Sequence, residues 1–143
     1  MTLVTATDCF RKYGDPERKE ASFMTLWDVP AELEHGAIPK RVYCNKDLVK
    51  PLEAALTNVV RRGLAAQIKT WDGCFNIRAK RGADSMSLHS WGIAIDINAA
   101  WNRFGKQPTM SPELVACFTD AGFTWGGTWR VADGMHFQLA ELP

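Results

Sequence analysis

The sequence predicts an α+β fold: a mostly antiparallel sheet, flanked by helices, that carries a group of polar side chains on its exposed face. Two stretches repeat their apolar residues at helical spacing, and four short segments are rich in strand-forming residues, two of them with clear alternation. An apolar helix stripe cannot bury itself, so both helices need a sheet to cover. At 143 residues the chain suffices for one core, and residues 1–143 read as a single domain without internal repeats or low-complexity linkers.

The first helix is expected from about Asp47 to Arg62. Leu48, Leu52, Ala55, Leu56, Val59 and Val60 form a one-sided stripe, Gly63 stops it, and Pro51 is tolerable near the first turn. Strands follow at Ala66–Trp71 and Phe75–Arg78. The third, Gly92–Asn98, alternates Ile93, Ile95 and Ile97 with Ala94, Asp96 and Asn98, so Asp96 faces away from the isoleucine layer. A second helix is expected from Pro112 to Ala121, with Ser111 as N-cap, Pro112 at the first helical position and Gly122 at its end. The last strand, Met135–Ala140, puts His136 and Gln138 opposite Met135, Phe137 and Leu139.

Composition narrows the function. A net charge of +1 gives no reason to expect a nucleic-acid partner. The segment from Met1 to Arg11 lacks a basic start and a sustained apolar run, so neither a signal peptide nor membrane insertion is read, and a cytoplasmic monomer is expected. Cys9, Cys44, Cys74 and Cys117 are widely spaced without a Cys-x-x-Cys, which fits reduced core thiols better than a disulfide framework. Arg61–Arg62 reads as solvated surface, while the basic run Arg78 to Arg81 is suited to an anionic partner. Of the six tryptophans, Trp91, Trp125 and Trp129 flank the candidate site and serve either as cleft walls or as core.

The chemistry is concentrated in Ser87-Leu-His-Ser-Trp-Gly-Ile-Ala-Ile-Asp96 and Asp133-Gly-Met-His-Phe-Gln138. His89, Asp96 and His136 together supply two imidazoles and a carboxylate, the donor set of a tetrahedral Zn²⁺ with an open position for water. Gly92 relaxes the backbone between His89 and Asp96, so the chain can fold back around one ion. Either histidine alone reads as an ordinary hydrogen-bonded residue. A carboxylate inside an apolar strand, however, needs a partner or a metal, and that turns the three into one site. Asp133, where the chain enters the last strand, is placed to act on the water as general base, against the plainer reading of Asp133–Gly134 as turn chemistry. His35, between Glu34 and Gly36 with no strand signal, reads as exposed.

These two motifs resemble those of the zinc D-alanyl-D-alanine metallopeptidases, which include VanY-type carboxypeptidases and phage L-alanyl-D-glutamate endopeptidases. The Ser-x-His-x-x-Gly-x-Ala-x-Asp signature matches Ser87, His89, Gly92, Ala94 and Asp96, and an acidic residue two positions clear of His-Phe matches Asp133, His136 and Phe137. Phe123-Thr-Trp-Gly-Gly-Thr-Trp129 also looks like the run that leads into the second motif. The resemblance is strong from about Cys74 to Ala140. It implies that Arg78 binds substrate and steadies an oxyanion, a role suited to a permanent guanidinium charge, against the plainer reading of a solvated basic turn. It implies substrate contact or support of the site for Ser87.

The implied substrate is the peptide stem of peptidoglycan. Asp rather than Glu at position 133, the short chain and the lack of an export signal resemble the phage endopeptidases. The expected protein is thus a zinc endolysin that cuts the L-Ala–D-Glu bond of the stem during host lysis. One alternative is a D-Ala-D-Ala carboxypeptidase or dipeptidase with the same metal site and a closed carboxylate pocket. A second is a non-enzymatic wall-binding module stabilised by zinc, which would need a fourth protein ligand and have no use for Asp133.

Overall fold

The computed structural model describes residues 2–80 and 85–143. Two antiparallel sheets and, among the described residues, four α-helices make up an α+β fold. The N-terminal part opens with α1 (Ala6–Tyr13) and α2 (Pro16–Phe23). A reciprocal capping box between Thr5 and Asp8 starts α1, and the Asp15 side chain caps α2 ahead of Pro16. β1 (Met24–Asp28) and β2 (Arg41–Asn45) then pair antiparallel in the small sheet, with Met24 opposite Asn45.

The helix read from the stripe of leucines is α3 (Val49–Arg61), preceded by a short 3-10 turn at Lys46–Leu48. Its Leu52, Ala55, Leu56 and Val59 are fully buried. They pack beside α4 (Pro112–Thr119), which Ser111 caps through the amide of Leu114. Asn58 Nδ2 donates to the Cys117 carbonyl at 3.0 Å, and an Arg62–Asp120 ion pair joins the same helices near the surface. Phe118 of α4 lies 4.5 Å, ring to ring, from Phe137, which ties the helices to the larger sheet.

That sheet consists of β3 (Trp71–Gly73), β4 (Ala94–Ile97), β6 (His136–Leu139) and β5 (Phe123–Trp125), in the order β3-β4-β6-β5 and antiparallel throughout. Its centre is the β4–β6 pair, in which Asp96 stands opposite His136. Ile93, Ile95, Ile97 and Phe137 are fully buried, as expected for the apolar layer. The polar side of β6 is not exposed, however: His136 and Gln138 are buried as well. Adjoining segments cover this face, so the polar group sits in a recess and not on an open sheet.

Two expected strands differ for identifiable reasons. Residues 66–70 do not extend the sheet, because the side chain of Asn98 takes over their backbone bonds. It accepts from Lys69 N and Thr70 N and donates to the Gln67 carbonyl, leaving a 3-10 turn at Ala65–Gln67. The stretch 75–78 pairs with the turn that carries His89 instead of with a strand: Asn76 N donates to His89 O and Ser87 N to Arg78 O. All four cysteines are buried free thiols, as the spacing implied. Burial pushes Cys9 and Cys44 up to about 12, so neither holds much thiolate at neutral pH. No described helix is long and apolar enough to cross a membrane.

Gly92 sits where the chain approaches itself closely. Its φ is +65°, and a Cβ there would lie 2.6 Å from Met24 Sδ and 2.8 Å from Asn45 N. The backbone conformation and the close approach both exclude a side chain. Replacing Gly92 with Ala should therefore destabilise the protein by about 2–4 kcal/mol, combining left-handed strain with overpacking. Urea unfolding of the two proteins measures it, and a loss below about 0.5 kcal/mol would show that the turn can relax.

Candidate metal centre

The structure brings His89, Asp96 and His136 together, with one ligand atom from each within 4.8 Å of the others. Three different pieces of chain deliver them. His89 comes from a 3-10 turn, Leu88–Trp91, that starts at Ser87 and ends at Gly92 in the left-handed conformation. Asp96 comes from β4 and His136 from the start of β6, directly opposite. The turn is held from outside by Asn45, whose backbone N–H donates to Gly92 O and whose Nδ2 donates to Trp91 O.

Hydrogen bonding sets which nitrogen of each ring faces inward. His89 Nδ1 lies 2.7 Å from the Cys74 carbonyl, which can only accept, so the proton sits on Nδ1 and Nε2 is left with its lone pair. His136 is arranged the other way round: Nε2 lies 2.9 Å from Gln138 Oε1, and Nδ1 faces the cluster. Gln138 is itself steadied by a long bond, 3.5 Å, from its Nε2 to Val4 O. Both inward nitrogens converge on Asp96 Oδ1, at 3.1 Å from His89 and 3.4 Å from His136.

The contacts around Asp96 Oδ1 are close but badly directed for hydrogen bonds. His89 Nε2 and Asp96 Oδ1 are buried without a properly aligned partner. Buried polar atoms left in that state are costly unless a cation satisfies them, and two nitrogen lone pairs with a carboxylate oxygen form a borderline-soft donor set of the kind zinc prefers. The residues fit the ion. Burial opposes ionisation of Asp96, yet the imidazoles of His136 and His89 hold its carboxyl well below the ordinary carboxylate range. Burial likewise disfavours a charged His136, but Asp96 and then Asp133 outweigh it and raise its pKa.

Asp133 stands at the rim of this group. One of its oxygens lies 4.0 Å from His136 Nδ1, its backbone N–H donates to Gly126 O, and its carbonyl accepts from His136 N. A Cβ on Gly126 would meet Asp133 O at 2.6 Å, so the glycine lets the Asp133 turn approach. Ser87 is buried, and its hydroxyl accepts from the His89 amide. It caps the turn and thereby supports His89. Arg78 lies on the segment bonded to that turn, but its Nη1 donates to the Ala79 carbonyl and it makes no ion pair with Asp96. Arg81 falls outside the described residues. His35 is exposed and not among the clustered ligands, with Nε2 on the Glu32 carbonyl.

The tryptophans divide. Trp91 is fully buried, donates to Gly14 O and meets Phe10 edge-on, so it belongs to the core. Trp125 stacks on Phe137 and donates to Gly134 O, steadying the Asp133–Gly134 turn. Trp129 lies against His136, with centroids 5.4 Å apart, and forms part of the site. The contribution of Gln138 was not assigned from sequence. Its signal was present in the period-two spacing that puts it on the same face as His136.

Residues 81–139 match a family model described as D-alanyl-D-alanine carboxypeptidase. The match covers less than half of the chain but contains all three clustered residues and Asp133. It supports the zinc D-Ala-D-Ala metallopeptidase family that the two motifs resemble, and with it a peptidoglycan-acting zinc metallopeptidase. No curated protein and no solved structure matches the chain.

Two outcomes follow from the hydrogen bonding. Gln138→Leu removes the acceptor that sets the His136 tautomer, so zinc affinity should fall about 10- to 100-fold with the fold retained, measured by competition with a chromophoric chelator. Unchanged affinity would mean that the tautomer is set elsewhere. Because Asp96 and Asp133 raise the pKa of His136, zinc must displace a proton from it in the lower pH range. Affinity should therefore rise with pH through the folded-state pKa of His136, and a flat profile between about pH 5 and 8 would contradict this.

Proposed function

We propose that the protein is a zinc-dependent peptidoglycan peptidase that cuts the L-Ala–D-Glu bond of the stem, the activity of a phage endolysin. The observation that carries the hydrolytic part of this reading is the placement of Asp133, a carboxylate 4.0 Å from a clustered histidine and outside the group of three. A purely structural zinc site needs a fourth protein ligand and gains nothing from such an acid.

Zinc bound by His89, Asp96 and His136 would supply Lewis acidity toward the scissile carbonyl and make water nucleophilic at neutral pH. The chain's own groups do the rest. The Cys74 carbonyl and Gln138 each engage the outer ring nitrogen, so the inward nitrogens of His89 and His136 are the ones placed to offer a lone pair. Asp133 accepts a proton from the attacking water and returns it to the leaving amine. Trp129, packed on His136, keeps bulk water from that side of the ring. Arg78 is our candidate for the carboxylate or oxyanion of the substrate. Its present bond to a neighbouring carbonyl would have to be exchanged for the substrate's oxygen.

Resemblance is what supports this choice of bond. Asp at position 133, where many carboxypeptidase relatives have Glu, is the feature shared with the phage endopeptidases. Accumulation in the host cytoplasm until the membrane is permeabilised belongs to the same proposal. The description of the matched family favours a second reading, removal of the terminal D-Ala. The two differ in their products. Cutting L-Ala–D-Glu detaches the crosslinks and leaves a new amine on glutamate, whereas carboxypeptidase action releases free D-Ala and leaves the crosslinks intact.

Asp133→Asn keeps the shape and loses the proton acceptor. It should bind zinc stoichiometrically while turnover falls about 10²- to 10⁴-fold. Metal content and rate measured on one sample check this, and loss of zinc would recast Asp133 as a ligand. End-group analysis of digested sacculi decides the bond: free D-Ala without a new glutamate amine would overturn the endopeptidase reading and leave the zinc peptidase standing.

A further inference from the structure

The loop after β4 and the turn before β6 leave the same end of the sheet, the end at which Asp96 and His136 face each other. Both are firmly built. Asn98 adopts a left-handed backbone at φ 53° and bonds residues 67–70, while the buried Asn102 donates to Asn98 O and accepts from Thr109 N at 2.7 Å. The two segments are also joined to each other. Gly105 N donates to Ala132 O at 2.7 Å, and a Cβ on Gly134 would lie 3.0 Å from Asn102 Oδ1.

On this rigid base stand three of the exposed large apolar side chains: Trp101 at 44 %, Phe104 at 36 % and Val131 at 51 %. Val131 lies in sequence between Trp129, which touches His136, and Asp133 at the rim of the cluster. The apolar strip therefore begins at the mouth of the candidate site. Its charge is one-sided. Arg103, Lys106 and Arg130 are exposed along it, and Lys69 Nζ lies 4.7 Å over the Trp101 ring. Residues 99–112 and 121–132 contain no acid. Of the acids beside these segments, Asp133 belongs to the rim of the cluster, and Asp72 accepts from Ala99 N and Thr70 Oγ1.

Exposed aromatic side chains held on a rigid backbone have low ordering costs on binding, and an apolar strip lined by cations of one sign selects a partner with apolar faces and negative charge. We infer that the strip formed by Trp101, Phe104 and Val131, with Arg103, Lys106 and Arg130 beside it, is a docking platform for the acidic glycopeptide polymer whose scissile bond lies at the metal cluster. The inference rests on the function proposed above. A stem held at the cluster continues across this surface on its way into the polymer. Sugar rings supply apolar faces for the aromatic side chains, and the carboxylates of the stems meet the cations. A membrane or a second copy of the chain is a less suitable occupant, because neither needs a surface continuous with the cluster.

The test is co-sedimentation with purified sacculi, in the Asp133→Asn background so that the polymer is not consumed. One variant carries Trp101→Ala and Phe104→Ala. A second carries Arg103→Ser and Lys106→Ser, exposed changes that leave the packing alone. Each should weaken retention by about tenfold or more, the scale of losing an anchoring contact, and retention of the parent should fall with added salt. If the aromatic variant does not fold, the charge variant decides. Retention unchanged in the folded variants overturns the platform. So does loss of binding to anionic lipid vesicles with sacculus binding intact, which assigns the strip to a membrane, or a parent dimer that the variants convert to monomer. Retention is read without turnover, so its loss or persistence is distinct from the end-group result that judges the choice of bond.

Discussion

The antiparallel register of β4 and β6 is the constraint on which the centre depends. Directly opposed residues on one face of such a pair stand about 5 Å apart, so opposing Asp96 to His136 places a carboxylate and an imidazole within reach of a single ion before any loop contributes. The third nitrogen must then come from outside the ladder. The turn at Leu88–Trp91 brings it in, and the left-handed Gly92 returns the chain to β4 within one residue. A shift of either strand by one position would turn its own group to the isoleucine side and dissolve the arrangement.

Putting these polar groups in a recess creates a second requirement, which the surrounding chain meets at each outer atom. One ring nitrogen of each histidine is committed to a neutral acceptor, a main-chain carbonyl for His89 and an amide side chain for His136. The two solutions differ in kind. A carbonyl cannot turn round, whereas the amide of Gln138 holds its orientation only through its own neighbours, among them the carbonyl of Val4. Order in the N-terminal segment is in this way coupled to the lone pair of a ligand on the last strand.

Asparagine does the same work around the periphery. Asn45, Asn98 and Asn102 are all buried, and each bonds backbone groups that have no ladder partner. Their effect is to give loops the rigidity of sheet. That is why the turn bearing His89 and the loop bearing Trp101 and Phe104 hold defined positions beside the site although neither is a strand.

Residues 92–98 and 135–140 were legible in the sequence because one side of each strand is apolar, and period-two alternation then reveals which residues share a face. With it came the grouping of His89, Asp96 and His136, and the position of Asp133 just before the last strand. The helices α3 and α4 were legible for the same reason, one-sided burial with stop signals at Gly63 and Gly122. Short elements whose surroundings differ from residue to residue were not. The small sheet β1–β2 and the helices α1 and α2 carry local caps but no long stripe, and the segment 66–70 has strand-like composition overruled by one distant side chain, Asn98. Tertiary structure alone decided that the sheet's polar face is covered, which nitrogen of each imidazole points inward, that Ser87 caps a turn, and that Arg78 leans on its own backbone. All four depend on contacts between segments far apart in the chain, and side-chain periodicity reports only which way a residue faces, not what has come to meet it.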